Sequence, residues 1–262
     1  MGEVTTRHLL VGSVLGALVL AWAAYRWEVA PPPEVRGRRL AARLACAACH
    51  DLAGGPGAPN PGSREGRVPG WGGGNAMMYF PNPGDMAGWI RDSAPTRYRD
   101  SAAFHAQRGR QLLTMAAYGP RLSPRDLADL VAFVSAVAGV AAPTAGAPAE
   151  GYAVAERSGC FHCHGAGGRG GVDNPGSFAG YVAGWWGHGY RALVHDRAEL
   201  LAWIRDGYTA RTHANPLLRR VLDRQQLHMP AYRAHLSEAE IEVLAAYIEW
   251  LAESAPTKPP NR

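Results

Sequence analysis

The sequence predicts an all-α protein made of two similar domains in tandem behind one N-terminal transmembrane helix. Three observations support this fold class. Residues 46–140 recur at 160–254 with an offset of 114 positions and no gap. Helix-start patterns recur along both copies, whereas the period-2 alternation of β-strands is missing. An uncharged apolar stretch occupies residues 9–25. A period of 114 is the size of a whole small domain, not of a solenoid repeat.

Two short cysteine motifs carry the clearest chemical signal. They occupy residues 46–50 and 160–164, both read C-x-x-C-H, and together hold all 4 cysteines. C-x-x-C-H is the attachment signature of c-type haem. Two thiols one helical turn apart can each form a thioether to a haem vinyl group, and the adjacent imidazole can ligate the iron. We therefore expect two covalently bound haem c groups, held by Cys46, Cys49, His50, Cys160, Cys163 and His164.

Other uses of paired cysteines fit the pattern less well. A structural zinc site typically places its C-x-x-C pairs about 15–20 residues apart, whereas Cys49 and Cys160 are far apart in the chain. Disulfide frameworks are typical of short, cysteine-rich secreted chains. A thioredoxin-like motif requires a βαβ pattern, which the sequence lacks.

The repeat also indicates a second axial ligand of each iron. Met115 and Met229 are repeat partners, and each lies 65 residues after the histidine of its motif. A lone methionine is often only core filler, but recurrence at a fixed distance from the motif favours ligation. Met77, Met78 and Met86 compete with Met115. His162, inside the second motif, pairs with Ala48, and six histidines of the haem domains outside the motifs also have no histidine partner: His105, His188, His195, His213, His228 and His235.

The N-terminal region predicts a membrane anchor. After a short segment at 1–8, residues 9–27 form a predicted transmembrane helix at the short limit of length, with Trp22, Tyr25 and Trp27 as an aromatic belt. A cleaved signal peptide is the competing interpretation. Residues 28–38 form a stiff Pro-rich spacer. Since c-type haem is attached outside the bacterial inner membrane, we expect a single-pass inner-membrane protein with its haem domains in the periplasm.

The remaining boundaries follow the repeat. Domain 1 is predicted at 39–140, a linker at 141–150, domain 2 at 151–252 and a loose tail at 253–262. Within them we expect helices at about 35–48, 85–92, 152–159 and 196–206, plus two capped C-terminal helices that begin after Ser123 and Ser237. We expect a Gly/Pro-rich loop at 51–84 and a polar segment at 93–114 that leads to Met115 on a loop.

The charge is unevenly distributed. Residues 39–140 carry 11 Lys+Arg and 7 Asp+Glu, whereas residues 151–252 carry 10 of each. The basic excess near the membrane suggests docking to anionic lipid or to an acidic partner. The alternative is that some arginines only hold haem propionates. Because the charges are scattered, no nucleic-acid partner is expected.

The motif order resembles that of the class I cytochrome c fold. Met229-Pro230-Ala231-Tyr232, followed by Leu236-Ser237-Glu238, is similar to the family's M-P-x-[FY]…L-[ST] segment. The first copy departs from it, because Ala116 replaces the proline. The resemblance covers 39–140 and 151–252. It implies that His50, Met115, His164 and Met229 ligate iron and that the protein carries electrons.

Tandem domains of this kind behind an anchor look like membrane-bound dihaem cytochromes c of respiratory and photosynthetic chains. The resemblance therefore implies transfer of single electrons between redox protein partners, within a membrane complex, with no catalytic residue and no small-molecule substrate. The alternative is a dihaem enzyme of the peroxidase or sulfur-compound dehydrogenase type, which would need one open or unusually ligated iron. Candidate residues around the haems are Trp71, Trp89, Arg91, Trp185, Trp203 and Arg205.

Overall fold

A computed structural model of the chain describes residues 14–20, 22, 30–51, 57–71, 83–138 and 143–254. The chain divides into two compact units, residues 1–32 and 33–262. The described residues are helical or loop, with no strand, and contain two isolated antiparallel bridges, Pro59 with Arg67 and Asp173 with Tyr181. These bridges lie 114 positions apart, so the structure repeats as the sequence does.

The helices of the two copies correspond in order. The first copy contains α1 (Pro33–Arg43), α2 (Pro83–Asp92), α3 (Thr96–Arg99), α4 (Ala102–Gly109) and α5 (Pro124–Ala138). The second copy contains α6 (Gly146–Arg157), α7 (Cys160–His164), α8 (Gly187–Leu193), α9 (Arg197–Asp206), α10 (Ala210–Ala214), α11 (Pro216–Arg224) and α12 (Glu238–Ser254). Short 3₁₀ turns lie at Cys46–Ala48, Gly119–Arg121, Ala166–Gly168 and Tyr232–Ala234.

Each copy is built on the packing of its first helix against its last, α1 on α5 and α6 on α12. A glycine lies at each crossing. A Cβ on Gly37 would come within 1.9 Å of the Asp129 carbonyl oxygen, and one on Gly151 within 1.9 Å of that of Val243. Only glycine allows the two backbones to approach this closely. The crossing fixes the position of the first helix in each copy, and the haem motif follows that helix.

Apolar side chains of the helices form one core in each copy. The first core contains Leu40, Trp71, Ile90 and Phe133, and the second contains Val154, Trp185, Ile204 and Tyr247, among others. In both copies the tryptophan comes from the loop after the haem motif, so the loop is packed into the core. This packing fixes the loop beside the motif histidine.

The capped C-terminal helices are confirmed. Ser123 and Asp126 bond reciprocally at the start of α5, with both backbone-to-side-chain distances at 3.1 Å. Ser237 and Glu240 do the same before α12, at 2.8 and 3.3 Å. The predicted helix at 196–206 is also confirmed as α9, since the Asp196 carboxylate accepts from the Glu199 amide at its start.

The polar segment at 93–114 contains two helices that the sequence did not predict. The structure has α3 and α4 there, and the Ser101 hydroxyl accepts from the Phe104 amide to cap α4. Tyr98 and Phe104 stack with ring centroids 5.2 Å apart, and Trp89 packs at the edge of Phe104. This aromatic contact stabilises two helices that are too short to show a periodic pattern.

Four helix boundaries also differ from the expectation. Helix α1 ends at Arg43 and not at the haem motif, because Ala45 takes a left-handed conformation with φ 56° and starts a separate turn. It begins at Pro33, within the segment assigned to the spacer. Helix α6 begins at Gly146, within the segment assigned to the linker, and α2 begins at Pro83.

Residues 14–20 and 22 of the proposed anchor are helical. Within the described part of the chain, no helix meets the length and apolarity needed to cross a membrane. The rest of the 9–27 segment lies outside the described residues, as do Met77, Met78 and the tail from residue 255.

Candidate haem sites

The two motif histidines are held in the same way. The Nδ1 atom of His50 lies 2.8 Å from the Pro69 carbonyl oxygen, and that of His164 lies 2.8 Å from the Ala183 carbonyl oxygen. A carbonyl can only accept, so Nδ1 carries the proton and Nε2 keeps its lone pair. Burial lowers the pKa of both histidines. Each copy therefore presents a neutral imidazole whose free nitrogen suits an iron ion.

A tryptophan lies against each of these imidazoles. The ring centroids of His50 and Trp71 are 5.1 Å apart, and those of His164 and Trp185 are 4.9 Å apart. Both tryptophans are buried, and each meets an aromatic ring of the last helix edge-on, Phe133 or Tyr247. The imidazole plane is thus fixed from one side by packing and at Nδ1 by a hydrogen bond.

None of the four motif cysteines forms a disulfide, so each sulfur is available for a thioether. Cys160 is buried, and this burial raises the pKa of its thiol to about 11. Burial also raises the pKa of Cys46. A thiol adds across a vinyl group with its hydrogen passing to the vinyl carbon, so these protonated thiols have the composition needed for attachment. The donor set of two thiols and one imidazole per copy fits haem c.

The predicted methionine ligands are partly buried against the same cores. Met115 packs against the cluster that contains Trp71, and Met229 packs against the cluster that contains Trp185 and Cys160. The structure thus places each methionine on the core that holds its own motif. Met86 instead lies within the first core, where its sulfur accepts from the Ser135 hydroxyl at 3.7 Å. This position supports Met115 over Met86.

Two buried asparagines position the methionine segments, a role that the sequence did not reveal. The Asn60 side chain donates to the Leu113 carbonyl at 3.0 Å and accepts from the Leu113 amide at 2.7 Å. Asn174 makes the same pair of bonds to Leu227, at 2.9 and 2.8 Å. Each bonded residue lies two positions before its methionine. The available signal was the exact recurrence of Asn-Pro-Gly-Ser at the 114-residue offset.

The segment around Met115 has a further support. The Arg108 guanidinium donates to the Ser93 carbonyl, to the Ser93 hydroxyl and to the Met115 carbonyl at 2.9, 3.0 and 3.0 Å. In the second copy Gly207 lies against the Met229 carbonyl, so closely that an added Cβ would come within 2.3 Å. Arg108 could not be identified from the repeat, because its repeat partner is Leu222.

The other candidates serve the fold. Trp203 is buried and donates to the Leu193 carbonyl at 3.0 Å. Trp89 packs among aromatic rings. Arg91 and Arg205 form surface ion pairs with Asp92 and Glu238. Among these residues, Trp71 and Trp185 are the ones whose rings the structure places against a motif histidine.

Residues 34–138 and 148–252 each match the family model described as Cytochrome c. No curated protein and no solved structure matches the chain significantly. The two matches indicate two covalently attached haem c groups, one in each copy.

Proposed function

This chain belongs to the cytochrome c family, and we propose that it is a membrane-anchored dihaem cytochrome that passes single electrons between redox partners. We place its haem domains at the periplasmic face and the protein within a respiratory or photosynthetic complex. The observation that carries the proposal is the duplication of one complete ligand set, two cysteines, a tautomer-fixed histidine and a methionine. Haem-based electron transfer itself follows from family membership.

Bound haem supplies a one-electron Fe(II)/Fe(III) couple. The protein's part is to keep the ligands unchanged in both oxidation states. The Nδ1 hydrogen bonds of His50 and His164 hold each imidazole in one tautomer, and Asn60 and Asn174 hold the chain before each methionine. A thioether ligand favours the ferrous state and so raises the reduction potential. If a histidine and a methionine both ligate each iron, neither iron would have an open position for a substrate, which favours a carrier over an enzyme.

The anchor is supported by the sequence of the N-terminal region. Residues 9–25 are apolar and uncharged, and aromatic residues cluster at the end nearer the haem domains. The Pro-rich segment that follows would hold the first domain close to the bilayer, so the carrier could reach only nearby partners. This short reach favours a fixed place in a complex.

Carbon monoxide distinguishes a carrier from an enzyme. It should be added to the fully reduced dihaem protein while the haem absorbance is followed. We expect no rapid binding at either haem, because histidine and methionine fill both axial positions. Rapid stoichiometric binding at one haem would overturn the carrier assignment and support the dihaem enzyme.

Gentle detergent extraction tests the anchor and the complex. Native membranes should be washed with salt, solubilised and fractionated by size while haem absorbance is recorded. We expect the protein to stay with the membranes through the wash and then to migrate with other redox subunits. Recovery in the salt wash would contradict the anchor, and migration alone with both haems redox-active would contradict a fixed subunit.

A further inference from the structure

The two copies contact each other through different faces. The first copy contributes α1 and α5, and the second contributes the loop that follows its haem motif. Arg39 Nε lies 2.5 Å from an Asp173 carboxylate oxygen. Ala166 packs against the apolar core of the first copy. Gly170 lies against α1, where an added Cβ would come within 3.2 Å of Glu34 Cγ. Domain 1 thus covers the segment that immediately follows Cys163 and His164.

The two copies have different residues at the positions that form this contact. On the first copy they are Glu34, Arg38 and Arg39, and their partners in the second copy are Pro148, Tyr152 and Ala153. On the second copy they are Arg169, Gly170 and Asp173, and their partners in the first copy are Gly55, Pro56 and Pro59. The charged groups therefore belong to this one contact and have no equivalent beside the first haem motif.

Two guanidinium groups in the contact are incompletely paired. Arg38, Arg169 and Glu34 line a cavity of about 10 Å³ between the copies. Arg38 Nη1 and Arg169 Nε are buried and have no hydrogen-bond partner among the described residues. An unsatisfied buried charge of this kind is costly, so it suggests a role beyond packing.

The charge of the contact is positive. Asp173 is already paired with Arg39. Of the charged groups that meet there, Arg38, Arg39 and Arg169 are cations, and Glu34 and Asp173 are the two carboxylates. Burial lowers the pKa of Arg38, and the Asp173 carboxylate opposes that shift. Arg38 shares the cavity with Arg169 and Gly170 of the loop that follows Cys163 and His164. Arg38 and Arg169 are therefore cations that the neighbouring carboxylates do not fully neutralise.

We propose that Arg38, supplied by the first domain, sets the reduction potential of the haem attached to the second domain. Reduction of that haem adds one electron to Fe(III) and lowers its net charge by one, with no bond made or broken. A buried cation near Cys163, which anchors this haem, stabilises the reduced form. Arg38 thereby favours residence of the electron on the second domain. The proposal rests on the electron-transfer function above.

The test is a spectroelectrochemical titration of the full-length protein. In Arg38→Gln we expect the reduction equilibrium of one haem to shift about tenfold toward Fe(III), a fall of about 59 mV for a one-electron couple. The haem that moves should be the one whose potential also moves in Met229→His. Arg38→Lys keeps the charge and should retain most of the wild-type potential.

Two further variants separate electrostatics from damage to the contact. Asp173→Asn removes a negative charge from the same place and should move the same potential upward. Arg191→Gln makes the same charge change as Arg38→Gln at an exposed site of the second domain and should leave both potentials nearly unchanged. Shifts of the same sign in Arg38→Gln and Asp173→Asn, or an unmoved second haem in Arg38→Gln, would overturn the proposal. If the wild-type haems do not cycle reversibly, the proposed function itself fails.

Discussion

In the first copy Ala45 and Ser93 hold left-handed backbone conformations, with φ 56° and 62°, whereas the second copy has Gly159 and Gly207 at the same positions, with φ 73° and 75°. A left-handed conformation costs an L-residue about 1 kcal/mol or more. Arg108 bonds to Ser93 and offsets that cost, and no such side chain is needed around Gly207. The same predicted ligand set is therefore positioned with backbone strain in the first copy and without it in the second.

The copies also differ in how polar groups are satisfied. Tyr247 in the second core takes the place of Phe133 in the first, and its hydroxyl donates to the buried Gly167 carbonyl at 3.0 Å. Arg205 joins Glu238 and Glu242 of α12, whereas its repeat partner Arg91 bonds to its neighbour Asp92. The second domain is therefore cross-linked more extensively, and we expect it to unfold last.

Substitution of a predicted methionine ligand should have the largest effect. It should change the haem of one copy and leave the haem of the other unchanged. Met115→Ala and Met229→Ala should each open one haem, so carbon monoxide should bind one equivalent per reduced protein. The potential of that haem should fall by a sizeable part of the roughly 0.8 V that axial ligands span. An unchanged spectrum in either variant would remove that methionine as a ligand, and Met86→Leu serves as the control for the first copy.

The asparagine bonds should be equivalent in the two copies. Asn60→Ala and Asn174→Ala each leave a backbone amide and a carbonyl without their partner, and we expect a loss of about 2–3 kcal/mol of stability in the affected domain. Unfolding should be followed by the haem absorbance of each domain. A response in only one copy would show that the other methionine segment is held independently.

The glycine difference can be tested by exchanging the residues. Ala45→Gly should stabilise domain 1 by up to about 1 kcal/mol, because the strain is relieved although the unfolded chain gains freedom. Gly159→Ala should destabilise domain 2 by about 1 kcal/mol or more, since the new Cβ would also lie 3.2 Å from His162 Nδ1. Thermal unfolding measures both. Equal signs in the two variants would contradict the strain assigned to Ala45.

Removing the Tyr247 hydroxyl should reduce the difference in stability between the second core and the first. Tyr247→Phe leaves the Gly167 carbonyl unpaired and should cost about 1 kcal/mol of stability, as measured by denaturant unfolding. Tyr152→Phe is the matched control, because Tyr152 contacts the Tyr247 ring but has no comparable buried bond. A larger loss in the control would contradict the role of the hydroxyl.

The smallest effect concerns the cap of α12. Bonds from Ser237, with that from Arg157, lower the pKa of Glu240 from 4.5 to about 2. A depressed carboxyl pKa stabilises the fold above the unfolded-state value, and this stabilisation is lost as pH falls from about 4.5 toward 2. Glu240→Gln should therefore melt below the wild type at pH 6, and the difference should vanish near pH 2. A constant difference would contradict the ionic role of the cap.

The repeat led to the predicted ligands, because the histidine and the methionine assigned to each iron recur at the same offset. Met77, Met78 and Met86 still competed with Met115, and the position of Met86 within the first core supports Met115. The repeat also allowed the prediction of the two capped helices. It could not reveal features with no counterpart. Arg108 acts on Ser93 from a distant helix, and Arg38 acts across the contact between the copies. Helices α3 and α4 depend on aromatic packing between segments. This packing is not visible in the periodicity of apolar residues along the sequence.

The contact between the copies joins a helix face of one to a loop of the other, so it is a head-to-tail contact. Such contacts do not close on themselves and can extend without limit when every unit carries both surfaces. In this chain only the first copy carries the charged helix face. The second has Pro148, Tyr152 and Ala153 at those positions. The contact therefore has a direction along the chain, with the charged helix face supplied by the N-terminal copy and the loop by the C-terminal copy.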